Sequence, residues 1–469
     1  MADPAAIPIP LDTMLGNQPA PGSTDDGLPT PQRYWAATAI WLAMAMTVID
    51  SAIANVALPT IGHDLGASPA SSIWVVSAYQ IAITMVLLPA AALGEIVGYR
   101  RVYMAGLGVF IVASFGCVLS PDLGSLALSR FIQGFGAAAV MGINGALVRF
   151  TYPKAMLGRG IGYNALVVAI SSAAGPSVAA AILAVAPWRW LFAVNVPLGL
   201  LALVIGQRCL PRTPRTAKRL DIPSALLNAL TFGALFLGFS DLAQGGAWLR
   251  MTAELAVGLV AGTVLVRRSQ TQASPLVPVD LLRIPLLRLS YATSSVSFAA
   301  QMVALVSLPF YLQGRFGLDH VQTGLLMTPW PLGVAVAAPL AGRLVERVSS
   351  GLLGGIGLGI LAVGLCLLGT LPADASFAAI VVRMVICGAG FGLFQTPNNR
   401  TMLGIAPRER SGAAAGMLAT ARLVGQTAGG VMVALLFRAA LPTSPMALFI
   451  GAGLAAGAAV ISMRRLKRA

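Results

Sequence analysis

The stretch "MAMTVIDSAIANVALP", residues 44–59, places one aspartate, Asp50, among apolar and small residues. The nearest charged residue before it is Arg33, and the nearest after it is Asp64. An apolar run of about 20 residues is long enough to cross a bilayer as a helix. The stretch therefore predicts a membrane-spanning helix with a carboxylate buried inside it, which is a costly arrangement and usually a functional one.

The rest of the chain repeats this apolar character. Of its 469 residues, 57% are hydrophobic and 10% are charged, and the mean hydropathy is +0.82. Soluble domains carry about 25% charged residues, so the composition excludes a soluble protein. Apolar runs predict fourteen helices at about 35–59, 72–94, 101–120, 122–149, 159–184, 189–209, 220–243, 250–267, 288–314, 321–344, 352–371, 376–400, 412–439 and 443–464. A membrane β-barrel would instead show alternating segments of about ten residues.

The distribution of the net charge of +15 indicates a membrane protein rather than a nucleic-acid-binding protein. Most of the 31 lysines and arginines fall in alternate loops and in the tails, which predicts that both termini are cytoplasmic. Four arginines fall at the opposite ends of the helices (Arg189, Arg250, Arg315 and Arg438), and three fall within helices (Arg130, Arg383 and Arg422).

Residues typical of enzymes and metal sites are scarce. The four cysteines are scattered and the two histidines lack ligand spacing, so no metal site is predicted. A phosphate-binding GxxxxGK[ST] loop is not found in the sequence, and no nucleophile–base pair stands out. We therefore expect no enzyme activity, no cofactor and no ATP-driven step.

Weak internal repeats divide the chain. Residues 1–34, rich in Pro and Gly, are predicted to be a disordered cytoplasmic tail. "ALGEIVGYRR" (92–101) is echoed by "AGRLVERVSS" (341–350), and "SRFIQGFG" (129–136) by "VRMVICGAGFG" (382–392). These echoes predict six-helix bundles at 35–209 and 288–464, with an inserted helix pair at 220–267.

Three longer signatures carry a family resemblance. "VIDSAIANVALP" in the first helix, "WRWLFAVNVPLG" (188–199) and "QTPNNRTMLG" (395–404) resemble the major facilitator superfamily, specifically its fourteen-helix branch of drug/proton antiporters. The resemblance covers nearly the whole chain after residue 34. It implies an all-α membrane protein with the major facilitator fold, which uses the proton gradient as its energy source.

Two motifs of that family are present in altered form. The loop motif appears as Glu95, Gly98, Arg100 and Arg101, while Ala91, Gly94 and Tyr99 differ from the family's motif. A carboxylate and arginines at this position are expected to form a conformational latch. The alternative is that the arginines only anchor the loop on the cytoplasmic side. The antiporter motif of the fifth helix offers Gly162, Gly175 and Pro176, which the resemblance links to a seal against proton leak. Ordinary close helix packing is the alternative.

Asp50 and Arg130 are the candidate proton-coupling residues. Asp50 is the only acid that we place deep in the membrane, and burial disfavours its charged form, so it can exchange a proton for a cation. The family's matching arginine, in "RxxQGxG", is linked to proton transfer. A structural role, with Asp50 permanently protonated or paired with Arg130, stays open. Polar and aromatic candidates for the substrate cavity are Tyr79, Gln80, Gln133, Asn144, Trp330 and Asn398.

These patterns predict a proton-coupled multidrug efflux transporter in the bacterial cytoplasmic (inner) membrane. Its partners would be drugs or biocides, protons and the lipid bilayer, with a periplasmic adaptor left open. The shortage of deep acids favours lipophilic monocations or neutral compounds. The alternatives are a dedicated exporter of one metabolite or antibiotic, and a non-transporting receptor on the same scaffold, which would tolerate Asp50→Asn.

Overall fold

The architecture was obtained as a computed structural model, which describes residues 27–153, 156–213, 220–244, 247–272, 275–345, 347–372, 374–405, 411–439 and 442–467. Residues 1–26 of the predicted tail lie outside the described residues. Within these ranges, fourteen helices are long and apolar enough to cross a membrane, by length and composition. The predicted all-helical class and helix number are therefore confirmed.

We number the long helices in chain order. They are α1 Gln32–Asp64, α2 Trp74–Val97, α3 Tyr99–Leu119, α4 Leu123–Thr151, α5 Leu157–Val185, α6 Asn195–Cys209, α7 Ile222–Gln244, α8 Trp248–Thr271, α9 Pro285–Phe316, α10 Pro329–Leu344, α11 Ser350–Gly369, α12 Phe377–Gly404, α13 Ser411–Arg438 and α14 Met446–Met463. Short helices precede α2 (Pro69–Ser72), α6 (Trp190–Ala193) and α10 (His320–Met327), and 3-10 turns lie at Val279–Arg283 and Arg464–Lys467.

Helix contacts join the chain into two groups and a pair. In the first group α1 packs against α4, α5 and α6, and α4 packs against α2 and α3. In the second group α9 packs against α13 and α14, while α12 packs against α10 and α11. Helices α7 and α8 pack against each other, and α7 also contacts both α2 and α13. The domain bounds drawn from the sequence stay predictions.

The two ends of the bundle are packed differently. We call them the Asp64 end, where α1 stops, and the Gly98 end, where α2 gives way to α3. Near the Asp64 end a single hydrophobic cluster includes Leu58 of α1, Leu308 of α9 and Met327. Toward the Gly98 end the first group has its own cluster, against which Leu423 of α13 packs. The second group has a separate cluster around Tyr291 and Met402.

Hydrogen bonds between the groups lie toward the Asp64 end. The hydroxyls of Ser177 on α5 and Thr328 are 2.8 Å apart. Nε2 of His320 lies 3.1 Å from the carbonyl oxygen of Leu183. The fold thus seals the two groups together at one end of a central seam.

Candidate functional site: a buried ion pair between α1 and α4

Asp50 and Arg130 form an ion pair in the interior of the first group. Nη1 of Arg130 lies 2.5 Å from Oδ2 of Asp50, and the two side chains are 0% and 1% exposed. Burying two charges costs several kcal/mol per ion unless their remaining hydrogen-bonding groups are satisfied. The neighbours of the pair therefore decide whether both charges can exist here.

The carboxylate of Asp50 receives two amide donors besides Arg130. Asn195 of α6 donates through Nδ2 to Oδ1 over 2.7 Å, and Gln133 of α4 donates through Nε2 to the same oxygen over 3.1 Å. Both carboxylate oxygens are thereby occupied. These three contacts offset part of the cost of burying the Asp50–Arg130 pair.

Arg130 is held on three sides. Its Nε donates to the carbonyl oxygen of Val75 over 2.9 Å, and its Nη1 also donates to Oε1 of Gln133 over 2.5 Å. The guanidinium carbon lies 4.1 Å from the ring centroid of Tyr79 and 5.4 Å from that of Phe192. Its Nη2 is buried and has no hydrogen-bond partner among the described residues. The two N–H donors of this nitrogen therefore remain available.

Small residues bring the helices close enough for these contacts. A Cβ atom added at Gly134 of α4 would lie 2.6 Å from the carbonyl oxygen of Tyr79 on α2. One added at Gly136 would lie 2.5 Å from the carbonyl oxygen of Gly106 on α3. Because α4 packs this tightly between α2 and α3, Arg130 reaches α1.

Sequence reasoning missed two members of the cluster. Asn195 lies inside the quoted signature "WRWLFAVNVPLG", but the signature alone does not mark it as a site residue. Ser114 of α3 is the second, and it accepts a 2.8 Å hydrogen bond from Nε2 of Gln133. Neutral polar side chains cost less to bury than charges, so nothing in the sequence marks them as strongly as Asp50 and Arg130. The position of Asn195 within a conspicuous motif was the one available signal.

The predicted latch residues lie together at the Gly98 end. Gly98 adopts φ 102°, a conformation that side chains rarely take, and links α2 directly to α3. Tyr99 donates its backbone N–H to Oγ1 of Thr213 over 2.9 Å, and Arg100 donates to the carbonyl oxygen of Gln207. Glu95 and Arg101 are exposed at the same end. Arg100 therefore fastens this link to the end of α6.

The predicted antiporter motif lies where α5 meets both groups. A Cβ added at Gly175 would lie 2.4 Å from Cβ of Ala52, two residues beyond Asp50 on α1. A Cβ added at Gly324 would lie 2.9 Å from the carbonyl oxygen of Pro176. Gly162 lies near the opposite end of α5. The Gly175–Pro176 step therefore connects the helix that carries Asp50 with the second group.

The predicted cavity residues do not form a single site. Tyr79 and Gln133 belong to the ion-pair cluster, and Gln80 is buried beside Tyr79 on α2. Asn144 donates to Oδ1 of Asn164 over 2.9 Å, whereas Trp330 is buried in the large cluster near the Asp64 end. Asn398 accepts a 2.7 Å hydrogen bond from Arg465 in the second group. Within the described ranges no three His, Cys, Asp or Glu side chains are grouped as metal ligands.

The fourteen helices long enough to span a bilayer, found among the described residues, define a polytopic membrane protein. Residues 40–430 match the model of the Major Facilitator Superfamily, and the chain belongs to this family. It is therefore a transporter rather than an enzyme, and it is driven by a gradient without a cofactor.

Relatives with curated names cover most of the chain. The transporter YebQ of Escherichia coli K12, described as uncharacterized, is 57% identical over 88% of this chain and 90% of its own. Multidrug resistance protein Stp of Mycobacterium tuberculosis is 32% identical over 83% of this chain and 73% of its own. Riboflavin transporter RibZ of Clostridioides difficile is 29% identical, over 83% and 85%.

Solved structures share the fold. A POT family transporter in complex with 5-aminolevulinic acid superimposes with a TM-score of 0.71 at 15% identity, covering 92% of this chain and 95% of that one. The POT family transporter PepTSo gives the same TM-score at 12% identity. At these identities the likeness shows the fold alone.

Proposed function

We propose that the chain is a proton-coupled multidrug exporter of the bacterial cytoplasmic membrane, with the Gly98 end and both termini in the cytoplasm. Its substrates are lipophilic compounds, which it exchanges for protons by alternating access. The observation that carries the proposal is the fully buried Asp50–Arg130 pair, whose charges can be separated only if a proton or another ion replaces one of them.

The hydrogen bonds of Asp50 define the switch. While Asp50 is ionised it holds Arg130, Gln133 and Asn195, which tie α1 to α4 and α6. A proton on Asp50 removes the charge that attracts Arg130 and turns one oxygen from an acceptor into a donor. Protonation therefore weakens three contacts at once and loosens α1 from its neighbours.

Helix α5 transmits this change to the second group. Gly175 packs against Ala52, and Gly324 packs against Pro176, so a shift of α1 near Asp50 displaces α5 against the helix His320–Met327. In this conformation the Asp64 end is packed shut across both groups. The cycle alternates this state with one in which the Gly98 end closes.

The loop residues supply the latch of the second state. Glu95, Arg100 and Arg101 lie at the end that would close, and Gly98 is the point where the backbone turns between α2 and α3. We assign to them the ion pairing that forms and breaks as the Gly98 end closes and opens.

The test is substrate-induced proton release from acid-interior proteoliposomes that contain a pH-sensitive dye. Lipophilic monocations and neutral compounds are added to the wild type, to Asp50→Asn and to Asp64→Asn. Asp64 is the matched control, because it lies on the same helix but its side chain is 53% exposed. We expect proton release by the wild type and by Asp64→Asn, and none by Asp50→Asn.

Two other outcomes of this test would change the coupling site or the substrate range that we propose. Equal release by Asp50→Asn would move the coupling site away from the ion pair, with Glu95 the next acid to substitute. If no compound of a broad panel triggers release, the second candidate, a dedicated exporter of one compound, becomes the better reading. The similarity to a protein named as a riboflavin transporter favours that candidate over a non-transporting receptor.

A further inference from the structure

Arg422 is a further charged side chain inside the bundle, on α13, and it is half-buried. The contacts of α13 show which way it points. On one face Ala421 accepts a 2.9 Å hydrogen bond from Ser295, and a Cβ at Gly425 would lie within 3.0 Å of Phe298, so this face meets α9.

The other faces of α13 meet α2 and α7. Leu423 packs into the cluster of the first group, and a Cβ at Gly430 would lie 3.1 Å from Oγ of Ser77 on α2. Val431 packs against Phe236 of α7. At about 100° per residue, position 422 falls between the α9 and α2 faces and opposite the α7 face. Arg422 therefore points toward the seam between the two groups, and Gln426 follows on the same face one turn later.

The guanidinium of Arg422 has no hydrogen-bond acceptor among the described residues. Among the described residues it stacks on the ring of Phe298, whose centroid lies 4.7 Å from Cζ. Two other arginines inside the bundle do bond to acceptors. Arg383 donates to the carbonyl oxygens of Leu367 and Ala379, and Arg465 donates to Ser290, Asn398 and Ser462.

An arginine carries five N–H donors, and because Arg422 is only partly buried, its donors are open to a molecule that enters the seam. Asp50 does not supply an acceptor to Arg422 in this structure; its carboxylate bonds to Arg130, Gln133 and Asn195 within the first group. Among the described residues no carboxylate pairs with Arg422, so the seam presents its positive charge to any molecule that enters. The planar guanidinium matches the two oxygens of a carboxylate, and the ring of Phe298 lies beside it.

We propose that Arg422 binds the carboxylate of the transported compound, so the substrate is a lipophilic carboxylic acid or zwitterion. This inference rests on the proposed exporter function and narrows its substrate class, which the sequence alone placed among monocations and neutral compounds. Phe298 contributes an aromatic surface, and Gln426 is placed to bind a second polar group of the same molecule.

The experiment compares acids with their own esters as ligands of the purified full-length chain. Rhodamine B has a free carboxylate and its ethyl ester does not, although the two dyes are otherwise the same. Affinities of this and further aromatic acid–ester pairs are measured in detergent at constant pH for the wild type, Arg422→Gln, Arg422→Lys and Arg383→Gln. The last variant also removes an arginine from the second group, but one whose hydrogen bonds to the described residues go to backbone carbonyls.

We expect the wild type and Arg383→Gln to bind the acids about tenfold more tightly than the esters, as a charge-assisted hydrogen bond implies. Arg422→Gln should bind both equally and keep its affinity for the ester, which also shows that the variant is folded. The preference of Arg422→Lys for the acid should lie between those of the wild type and Arg422→Gln, because lysine keeps the charge and loses the planar fork. If no pair shows a preference for the acid, or if the preference survives in Arg422→Gln, the inference is wrong.

The result is separable from that of the proton-release test. Binding is measured without a proton gradient, and Asp50→Asn should keep the preference for the acid. A preference that depends on Arg422 in a protein that releases no protons would overturn the antiport proposal alone. Proton release by a protein that binds acids and esters equally would overturn this inference alone.

Discussion

The ion pair of Asp50 and Arg130 allows a structural role to be distinguished from a coupling role. Arg130→Gln leaves the Asp50 charge buried with only neutral donors, so it should lower the free energy of unfolding by about 3–5 kcal/mol. The double variant Asp50→Asn, Arg130→Gln removes both charges and should recover most of that loss. Thermal unfolding of the purified variants in detergent measures both effects.

Transport supplies the second readout of the same variants. If the pair couples protons, the double variant should be stable and yet release no protons when substrate is added. A stable double variant with wild-type proton release would mean that the pair only holds α1 against α4. The charge-conserving Arg130→Lys is the control, because it keeps the ion pair while losing the donor that bonds Val75.

The sequence predicted the charged members of this site but not their geometry. A charge in a membrane helix is costly, so Asp50 and Arg130 stand out from the composition alone. Their pairing joins positions 80 residues apart, and it depends on how closely α4 packs between α2 and α3. Asn195 and Ser114 are cheap to bury, so only the folded chain shows that they complete the cluster.

At the scale of elements, a polar clip fastens the helix pair α7–α8 at its Gly98 end. Asp221, just before α7, accepts hydrogen bonds from Ser224, from Arg268 over 3.0 Å and from Gln272. Partial burial alone would raise the pKa of Asp221, but these hydrogen bonds outweigh it and hold the pKa well below its usual range. The folded state therefore favours the carboxylate.

The clip should give the stability of the chain a defined pH dependence. Its contribution is complete above the ordinary aspartate pKa, near 4, and is lost as the pH falls below that value toward the lowered pKa. Asp221→Asn should lower the free energy of unfolding by about 1 kcal/mol at pH 7, and the difference from wild type should shrink toward pH 3. Thermal unfolding from pH 7 to pH 3 checks this.

Asp241 offers a matched control at the other end of α7. It pairs with Arg250, whose side chain is 65% exposed, and exposed pairs contribute little. Asp241→Asn should therefore change the unfolding temperature less than Asp221→Asn at pH 7. If Asp221→Asn lowered the free energy of unfolding by the same amount at pH 7 and pH 3, the charge of Asp221 would not be what stabilises the clip.

Hydropathy located the fourteen candidate spans of the described residues but misjudged several of their ends. The first was predicted at 35–59 and runs from Gln32 to Asp64, because a helix continues past the apolar core of the membrane wherever its polar ends are solvated. The run predicted at 321–344 is divided at Thr328, just before Pro329. A hydropathy average cannot register this break, since proline changes the backbone rather than the polarity of the segment.

At the scale of the whole molecule, helix α7 lies across the boundary between the two groups. Phe236 of α7 packs with Ile81 of α2 and Val431 of α13, and Asn228 donates to the carbonyl oxygen of Met85 over 2.8 Å. The sequence predicted an insertion from the repeat pattern but not its docking site, because α7 has no strongly polar face that would mark one. Only the assembled bundle shows that α7 touches both groups.

The charge of the substrate decides how the membrane voltage drives export. One elementary charge crossing 100 mV yields about 2.3 kcal/mol, and a tenfold concentration ratio costs about 1.4 kcal/mol. Exchange of one proton for a monocation moves no net charge and gains nothing from voltage. Exchange for a zwitterion moves one charge and sustains about a 40-fold gradient, whereas exchange for an anion moves two charges and sustains about a 2,000-fold gradient.

If Arg422 binds a carboxylate, export should therefore respond to voltage in a way that depends on that carboxylate. In proteoliposomes with a potassium diffusion potential, negative on the side of the Gly98 end, transport of rhodamine B should accelerate, while that of its ethyl ester should not. The same dyes at zero potential control for affinity, and Asp50→Asn controls for uncoupled leak. An ester flux as sensitive to voltage as the acid flux would mean that the number of charges moved does not follow the substrate, so more than one proton or a second ion would have to enter the cycle. The coupling would then lie outside the single carboxylate of Asp50.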